Sequence, residues 1–406
     1  MGACVTRGPT TVVGLDGRPP APEVERLLAD AALIAGGRRH LEMLGVDRDR
    51  AVVLEGDLAG ALMQIEGNDG PVVVLASGDP GFFGIVRLLA GRFGRENLRV
   101  LPGLSSVALA FARAGLSWDD AVTVSAHGRD PRRAVNVCRA HAKVAVLTSP
   151  DFGPAELTEA LGGLGRTFVV AEKLGEVGER VFHGDAGMVA GMEWENPNLV
   201  LVLDEGRMSG ERGWISSSLQ SPLRWALLEE EFEHRSGMIT KPATRAFVLS
   251  RLGPGPGDLI WDVGAGSGSV AIECARLGAA AIAVERDPES CARIRRNAER
   301  HGVRLQIMEA TAPDALRDLP EPDAVFVGGS GGAFEEVVKL STVRARRAVV
   351  LALVTLERVV PAAQLLEDCG LEVETTLLQT SRMKGVGSLH RLAAESAVFV
   401  VSGSRQ

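Results

Sequence analysis

Short apolar runs alternate with helix-patterned stretches twice along this sequence, and this double alternation limits the fold more than any other feature. The first series has runs at 11–14, 51–54, 72–76, 100–101, 121–125, 144–147, 167–171 and 199–203. Helical patterns stand between several of them, at 22–35, 84–93, 105–114 and 154–161. The second series has runs at 259–263, 280–285, 304–309, 324–327, 347–354, 371–378 and 397–401, with helical patterns at 242–252, 269–277 and 288–301. Strands alternating with helices build α/β layers. Two such series in 406 residues predict two domains rather than one core. The expected division is a first domain over 1–206, a linker and entry segment over 207–237, and a second domain over 238–406 with a seven-stranded sheet. The linker is rich in Arg, Ser, Glu and Gly and carries a helical pattern at 222–233. No repeat of solenoid length appears.

A net charge of −8, an aromatic content of 4% and the absence of tyrosine argue against a nucleic-acid partner held by phosphate contacts and base stacking. The cysteines Cys4, Cys138, Cys274, Cys291 and Cys369 are scattered without a CxxC pair. No disulfide framework or metal site is expected, which suits a reducing cytoplasm. The longest apolar run, 348–354, is strand-sized, so no membrane partner is expected. No secretory signal is expected, because a charged segment followed by an apolar one is missing. MGACVT at 1–6 fits the short myristoylation pattern, but a plain soluble N-terminus is the simpler reading.

The stretch IWDVGAGSGSVAIE at 260–273 reads as a buried strand, a glycine turn and the start of a helix. Asp262 ends the strand; Gly264, Gly266 and Gly268 follow at alternate positions, and Ser269 opens the helix. Glycines let backbone approach a ligand closely, and the helix start offers free N–H groups. A dinucleotide turn usually reads GxGxxG. Here the spacing is tighter and an acid precedes it. That acid repels phosphate but accepts a hydrogen bond from an ammonium, which suits S-adenosylmethionine. Glu285 ends the next strand, placed to take both ribose hydroxyls. The one after ends in EATAP at 309–313, with Glu309 and Ala310, placed to border the adenine. VGGSGG at 327–332, with Gly328 and Gly329, forms another close-approach loop facing the same crevice. A ligand-free Rossmann turn and an NAD-type site are the alternatives.

Three segments carry a resemblance: GMITKPATR at 237–245, DVGAGSGS at 262–269 and EATAPDAL at 309–316. Together they resemble the T-type decarboxylating precorrin methyltransferases of cobalamin biosynthesis, which have a Rossmann-like class I fold. The resemblance covers roughly 219–406 and implies that Thr240 and Lys241 lie over the cofactor. Thr240 also reads as a helix N-cap, with Pro242 in the first turn. Between the last two strands, TSRMKGVGSLHR at 380–391 carries Arg382, Lys384, His390 and Arg391 without an acid. Such a basic loop in an acidic chain suits an anionic substrate. A solvated hairpin tip is the plainer reading.

The first domain carries a different turn, ASGDPGFFG at 76–84. Alone it reads as a structural turn. It is joined by LPGLSS at 101–106, VLTSP at 146–150 and EKLGEVGER at 172–180. This ordered set resembles the tetrapyrrole methylases, a class III methyltransferase family, and within it the E-type precorrin-6Y methylases, over roughly 8–205. The resemblance implies that Gly78, Asp79, Pro80, Ser105, Ser106 and Thr148 line an S-adenosylmethionine cleft. The family's first loop is usually GxGPGD. VGLDGRPP at 13–20 keeps Gly14 and Gly17 but loses the later glycine-acid pair.

Both resemblances in one chain imply a fused C5,15-methyltransferase that also decarboxylates. One S-adenosylmethionine per domain is implied, with an anionic corrin precursor as substrate. The first domain would methylate C5; the second would methylate C15 and remove carbon dioxide from the C12 acetate. Precorrin-8 would result. Arg382, Lys384, His390 and Arg391 would hold carboxylates, and Asp79, His127 or His390 could move a proton. Both families tend to self-associate, so a homo-oligomer is expected. The competing classes are a methyltransferase for another small molecule, an NAD(P)-dependent oxidoreductase, and a binding protein whose first domain is degenerate.

Overall fold

The computed structural model describes residues 9–207, 224–235, 239–329 and 331–405. The myristoylation pattern and Cys4 lie outside the described residues. Contacts divide the chain into two units. Among the described residues, one holds those of 9–128, 145–159 and 165–203; the other holds those of 129–144, 160–164 and 204–405.

In the first unit, β1 (Thr10–Leu15), β2 (Leu33–Gly36), β3 (Ala51–Val53), β4 (Val72–Ser77) and β5 (Leu98–Leu101) form a sheet in the order β3-β2-β4-β1-β5. All its pairings are parallel. Successive residues of β1 and β4 point to opposite faces. Val12 and Val74 pack with Ala35, Ile65 and Leu89, while Val13 and Leu75 pack with Ile34 and Leu41. Both faces are covered, which is why these strands read as continuous apolar runs. A second sheet contains β6 (Val122–Ser125), β7 (Lys143–Leu147), β8 (Thr167–Glu172), β9 (Arg180–Gly184) and β10 (Asn198–Leu203) in the order β6-β7-β10-β8-β9. There β8 runs antiparallel to both β9 and β10.

Two elements differ from the sequence reading. The helix expected over 22–35 spans only Pro22–Asp30, and β2 begins at Leu33. Ala31 turns to extended backbone, and β2 gains ladder partners on both sides, which outweighs the continuing helical pattern. Strand β9 was not visible because it is a partly exposed edge strand with no strong apolar run.

The second unit's sheet contains β11 (Leu259–Val263), β12 (Ala280–Glu285), β13 (Gln306–Glu309), β14 (Ala324–Val327), β15 (Ala348–Leu353) and β16 (Glu372–Leu378). After β17 (Ser381–Val386) and β18 (Leu389–Ala394), which among the described residues pair only with each other, β19 (Val398–Ser404) completes it. The order is β13-β12-β11-β14-β15-β19-β16, the seven strands expected, with β19 antiparallel to both neighbours. Trp261, Ile282, Val325 and Val349 fill one face; Ile260, Phe326, Val350 and Val400 fill the other. Burial of each such side chain contributes about 1.5–3 kcal/mol, so the central strands are rigid supports for the loops at their ends.

The basic segment over 380–391 is not a loop but the two-stranded hairpin β17–β18. The helix expected over 222–233 is, among the described residues, a single short turn at Glu229–Glu231. Residues 224–235 are not a free linker. Leu227 and Phe232 are buried against Ile272 and Ala298. No helix among the described residues is long and apolar enough to cross a membrane. None of Cys138, Cys274, Cys291 and Cys369 is in a disulfide, and the described residues contain no cluster suited to a metal ion.

Candidate active sites

In the second unit, β11, β12 and β14 end side by side and their loops enclose a cavity of about 650 Å³. That is within the range of small-molecule sites. Asp262, Gly264, Gly266, Ser269, Glu285, Ala310, Gly328, Gly329, Thr240 and Lys241 all line it. Gly264 has φ +71°, and a Cβ there would lie 2.1 Å from the Gly329 carbonyl oxygen, so only glycine permits this close approach. Gly268, at φ +72°, packs against Ile294 outside the cavity lining. Glu309 also lies outside it, exposed, beside Glu285 in the ladder. Arg235, Arg286, Asp287 and Val354 also line the cavity, and the sequence reading does not place them there. Arg286 and Asp287 directly follow Glu285, and the Asp-Pro step at 287–288 signals a helix start that could have revealed them.

Asp262 is 1% exposed. Its Oδ2 accepts the Ala271 N–H at 3.0 Å, but its buried Oδ1 has no partner. Burial pushes its pKa up to about 7, the Ala271 bond opposes this, and the nearby Glu285 charge adds to it. An acceptor atom left bare in a cavity wall fits a ligand N–H donor. Glu285 accepts N–H groups from Gly266 at 2.9 Å and Asp287 at 3.0 Å, which fixes its carboxylate at the rim.

Above this rim the segment before the helix Pro242–Leu252 is held by a buried ion pair. Arg245 and Glu273 are 0% and 1% exposed, with Nε and Oε1 2.5 Å apart. Arg245 also donates to the carbonyls of Thr240 and Leu227 and lies over the Phe232 ring. Glu273 accepts the N–H groups of Ala226 and Leu227. Lys241, not Thr240, is the N-cap, with Pro242 fixing the first turn. Lys241 Nζ donates to Glu229 at 2.5 Å.

None of the hairpin's basic side chains lines the cavity. Arg382 is not in an acid-free setting: it pairs with Glu395 at 2.8 Å and Glu229 at 3.6 Å, both brought near by folding. Lys384, His390 and Arg391 are exposed, and Lys384 faces Arg391 across the hairpin.

In the first unit, the ends of β1, β4 and β5 bring Gly14, Gly78 and Gly103 together. A Cβ on Gly14 would lie 2.0 Å from the Gly78 oxygen and 2.4 Å from the Gly103 nitrogen. Beside this junction is a cavity of about 140 Å³, lined by Gly78 and Ser106 together with Asp16, Arg39, His40, Ser77, Glu176 and Asn198. The other expected residues hold its loops. Asp79 accepts the Gly81 N–H, Ser105 caps the helix Ser106–Ala114, and Thr148 donates to Asn198 Oδ1 at 2.7 Å. Pro80 packs near Gly14. His127 is exposed and does not line the cavity.

The two units are therefore a tetrapyrrole-methylase fold followed by a Rossmann-like methyltransferase fold, each with a glycine-built cavity at its strand ends. Residues 20–190 match the tetrapyrrole (corrin/porphyrin) methylases and residues 230–404 the precorrin methyltransferase domain. A precorrin-6Y C(5,15)-methyltransferase (decarboxylating) of Sinorhizobium sp is 40% identical over 327 residues, covering 76% of this chain and 75% of that one. One from Mycobacterium tuberculosis is 34% identical over 328 residues, covering 78% and 79%. The chain belongs to the precorrin-6Y C(5,15)-methyltransferase (decarboxylating) family. A cobalt-precorrin-7 C(5)-methyltransferase of Salmonella typhimurium is 34% identical over 207 residues, covering 48% of this chain and 98% of its own length.

Proposed function

We propose that the chain methylates precorrin-6Y at C5 in the first unit and at C15 in the second, where it also removes carbon dioxide from the C12 acetate, giving precorrin-8. S-adenosylmethionine, one per unit, would supply an activated methyl group on sulfur. The observation that carries this reading is the bare Asp262 Oδ1 in a cavity of about 650 Å³. It accepts from the ligand's ammonium, while Glu285 keeps lone pairs for the ribose hydroxyls and Gly264 and Gly266 let the ligand lie against backbone. Thr240 and Lys241 cover it. The first cavity, at about 140 Å³, admits part of such a ligand between the Gly78 and Ser106 loops.

The chain's own task is orientation and exclusion of water. Arg235 and Arg286 in the cavity wall, with Lys384, His390 and Arg391 on the hairpin, are suited to the carboxylates of an anionic macrocycle. Loss of carbon dioxide leaves an electron pair that the conjugated ring takes up. The reading includes a cytoplasmic homo-oligomer without nucleic-acid or membrane partners.

Calorimetric titration with S-adenosylhomocysteine tests it, using the wild type, Gly78→Val and Glu285→Ala. Two sites per chain, each weakened by one variant, support two working units. One site, unaffected by Gly78→Val, removes the first unit from the scheme.

A further inference from the structure

Three side chains from separate segments meet in the wall of the first unit's cavity. His40 comes from the helix Arg38–Met43, Ser77 from the end of β4, and Glu176 from the loop after β8. Ser77 Oγ lies 3.2 Å from His40 Nε2. Arg39 Nη2 lies 3.4 Å from both His40 Nε2 and Ser77 Oγ, and its Nη1 pairs with Glu176. A guanidinium only donates, so its approach to Nε2 at 3.4 Å favours the tautomer in which that nitrogen is the acceptor. The Ser77 hydroxyl then donates to Nε2, and an oxygen lone pair remains on the cavity side. His40 is 8% exposed. Burial and the Arg39 charge lower its pKa from the usual 6.5, with Glu176 opposing them, so the ring is neutral near pH 7. Asp16, the other acid in the cavity wall, is engaged by Arg18.

We propose that Ser77 and His40 form the proton-accepting pair for the methylation carried out in the first unit, an inference that rests on the function proposed above. Methylating a ring carbon that bears hydrogen releases a proton that an acceptor must take up. The carbon's electron pair forms the new carbon–carbon bond, and the methyl–sulfur bonding pair stays with sulfur. The carbon's proton then passes to Ser77 Oγ as the Ser77 proton passes to His40 Nε2, restoring the ring's conjugation. Charge balances: the sulfonium's positive charge ends on imidazolium. Arg39, held by Glu176, keeps the empty ring nitrogen turned toward Ser77.

The test uses the full chain with precorrin-6Y and S-adenosylmethionine, reading methyl count and position by mass spectrometry. The second unit's transfer serves as the internal reference. His40→Gln and Ser77→Ala are expected to slow C5 methylation by about 10²-fold while C15 methylation continues. In the wild type the C5 rate falls as pH drops through the His40 pKa; in His40→Gln that limb disappears. Imidazole restores rate to His40→Ala. Titration with S-adenosylhomocysteine still shows the first unit's site in all three variants. A proton NMR titration, assigned by the signal missing from His40→Gln, places the His40 pKa below 6.5 and moves it up in Ser77→Ala, where the donor to neutral Nε2 is gone. Normal C5 methylation in His40→Gln, loss of S-adenosylhomocysteine binding alongside the rate, or a His40 pKa that does not move in Ser77→Ala overturns the proposal. A wild type that transfers no methyl to precorrin-6Y sinks the functional reading instead, and the NMR result still decides whether the pair exists.

Discussion

Replacing Asp262 by asparagine keeps the shape of the strand end and removes a charge that the fold buries. The wild-type carboxyl has a pKa near 7 in the folded unit against 3.8 for the free group. The folded state therefore holds this proton more tightly than the unfolded chain does. Its contribution to stability is complete below pH 3.8 and is lost as pH rises to about 7. A difference of about 3 pH units corresponds to about 4 kcal/mol at 1.36 kcal/mol per unit. Asparagine carries no such dependence. The stability of Asp262→Asn relative to wild type should rise by about 3 kcal/mol between pH 5 and pH 8.5, then level off. Urea unfolding without ligand, followed by tryptophan fluorescence at several pH values, measures this gap. The same variant should bind S-adenosylhomocysteine more weakly at pH 8.5, because the bare acceptor has become an amide. A gap that stays flat with pH would refute the reasoning, since it would mean that Asp262 is ionised alike in both states.

The buried pair makes a second prediction. Arg245→Ala leaves Glu273 without its cation and should destabilise the second unit by about 3–5 kcal/mol, while Arg245→Met with Glu273→Gln recovers much of the loss in urea unfolding. Gly14→Ala forces a Cβ into the Gly78 and Gly103 backbones, so calorimetry should show one ligand site lost and the other intact. Glu285→Gln should weaken ligand binding in the second unit by about tenfold or more, because the charged acceptor of two N–H groups becomes neutral. Arg382→Ala should lower precorrin-6Y turnover less than Lys384→Ala with Arg391→Ala, because Arg382 is already paired with Glu229 and Glu395; steady-state kinetics would show the difference.

The sheet of the second unit was legible because β11, β12, β14 and β15 are buried on both faces and stand out as apolar runs. The strand-end part of its cavity was legible too, since Asp262, Gly264, Gly266 and Glu285 sit where sequence order and position in space coincide. Gly268 follows the same spacing but spends its left-handed conformation on packing against Ile294. The strap carrying Leu227, Phe232 and Arg235 read as a linker because its apolar residues are few and lack a period. Its order comes from Glu273 and Asn297, distant in sequence, which bond its backbone N–H groups. His40 and Ser77 stand in separate elements, and only the parallel pairing of β2 with β4 brings their neighbourhoods together. The first cavity's expected residues proved to be a mixture: Gly78 and Ser106 face it, while Asp79, Ser105 and Thr148 tie down its loops.

The crossing of β19 between β15 and β16 bears on how the chain is made. β16 precedes β19 in the chain, yet among the described residues its only ladder in the main sheet is with β19. While the polypeptide emerges, β15 presents an open edge and β16 has no place to dock. Both wait until the intervening hairpin and β19 have been synthesised. The earlier parallel strands can assemble in order, but the site's wall at Val354 and Val398 closes only then. A ribosome stalled between β16 and β19 would thus hold a nascent second unit with an unpaired, aggregation-prone edge.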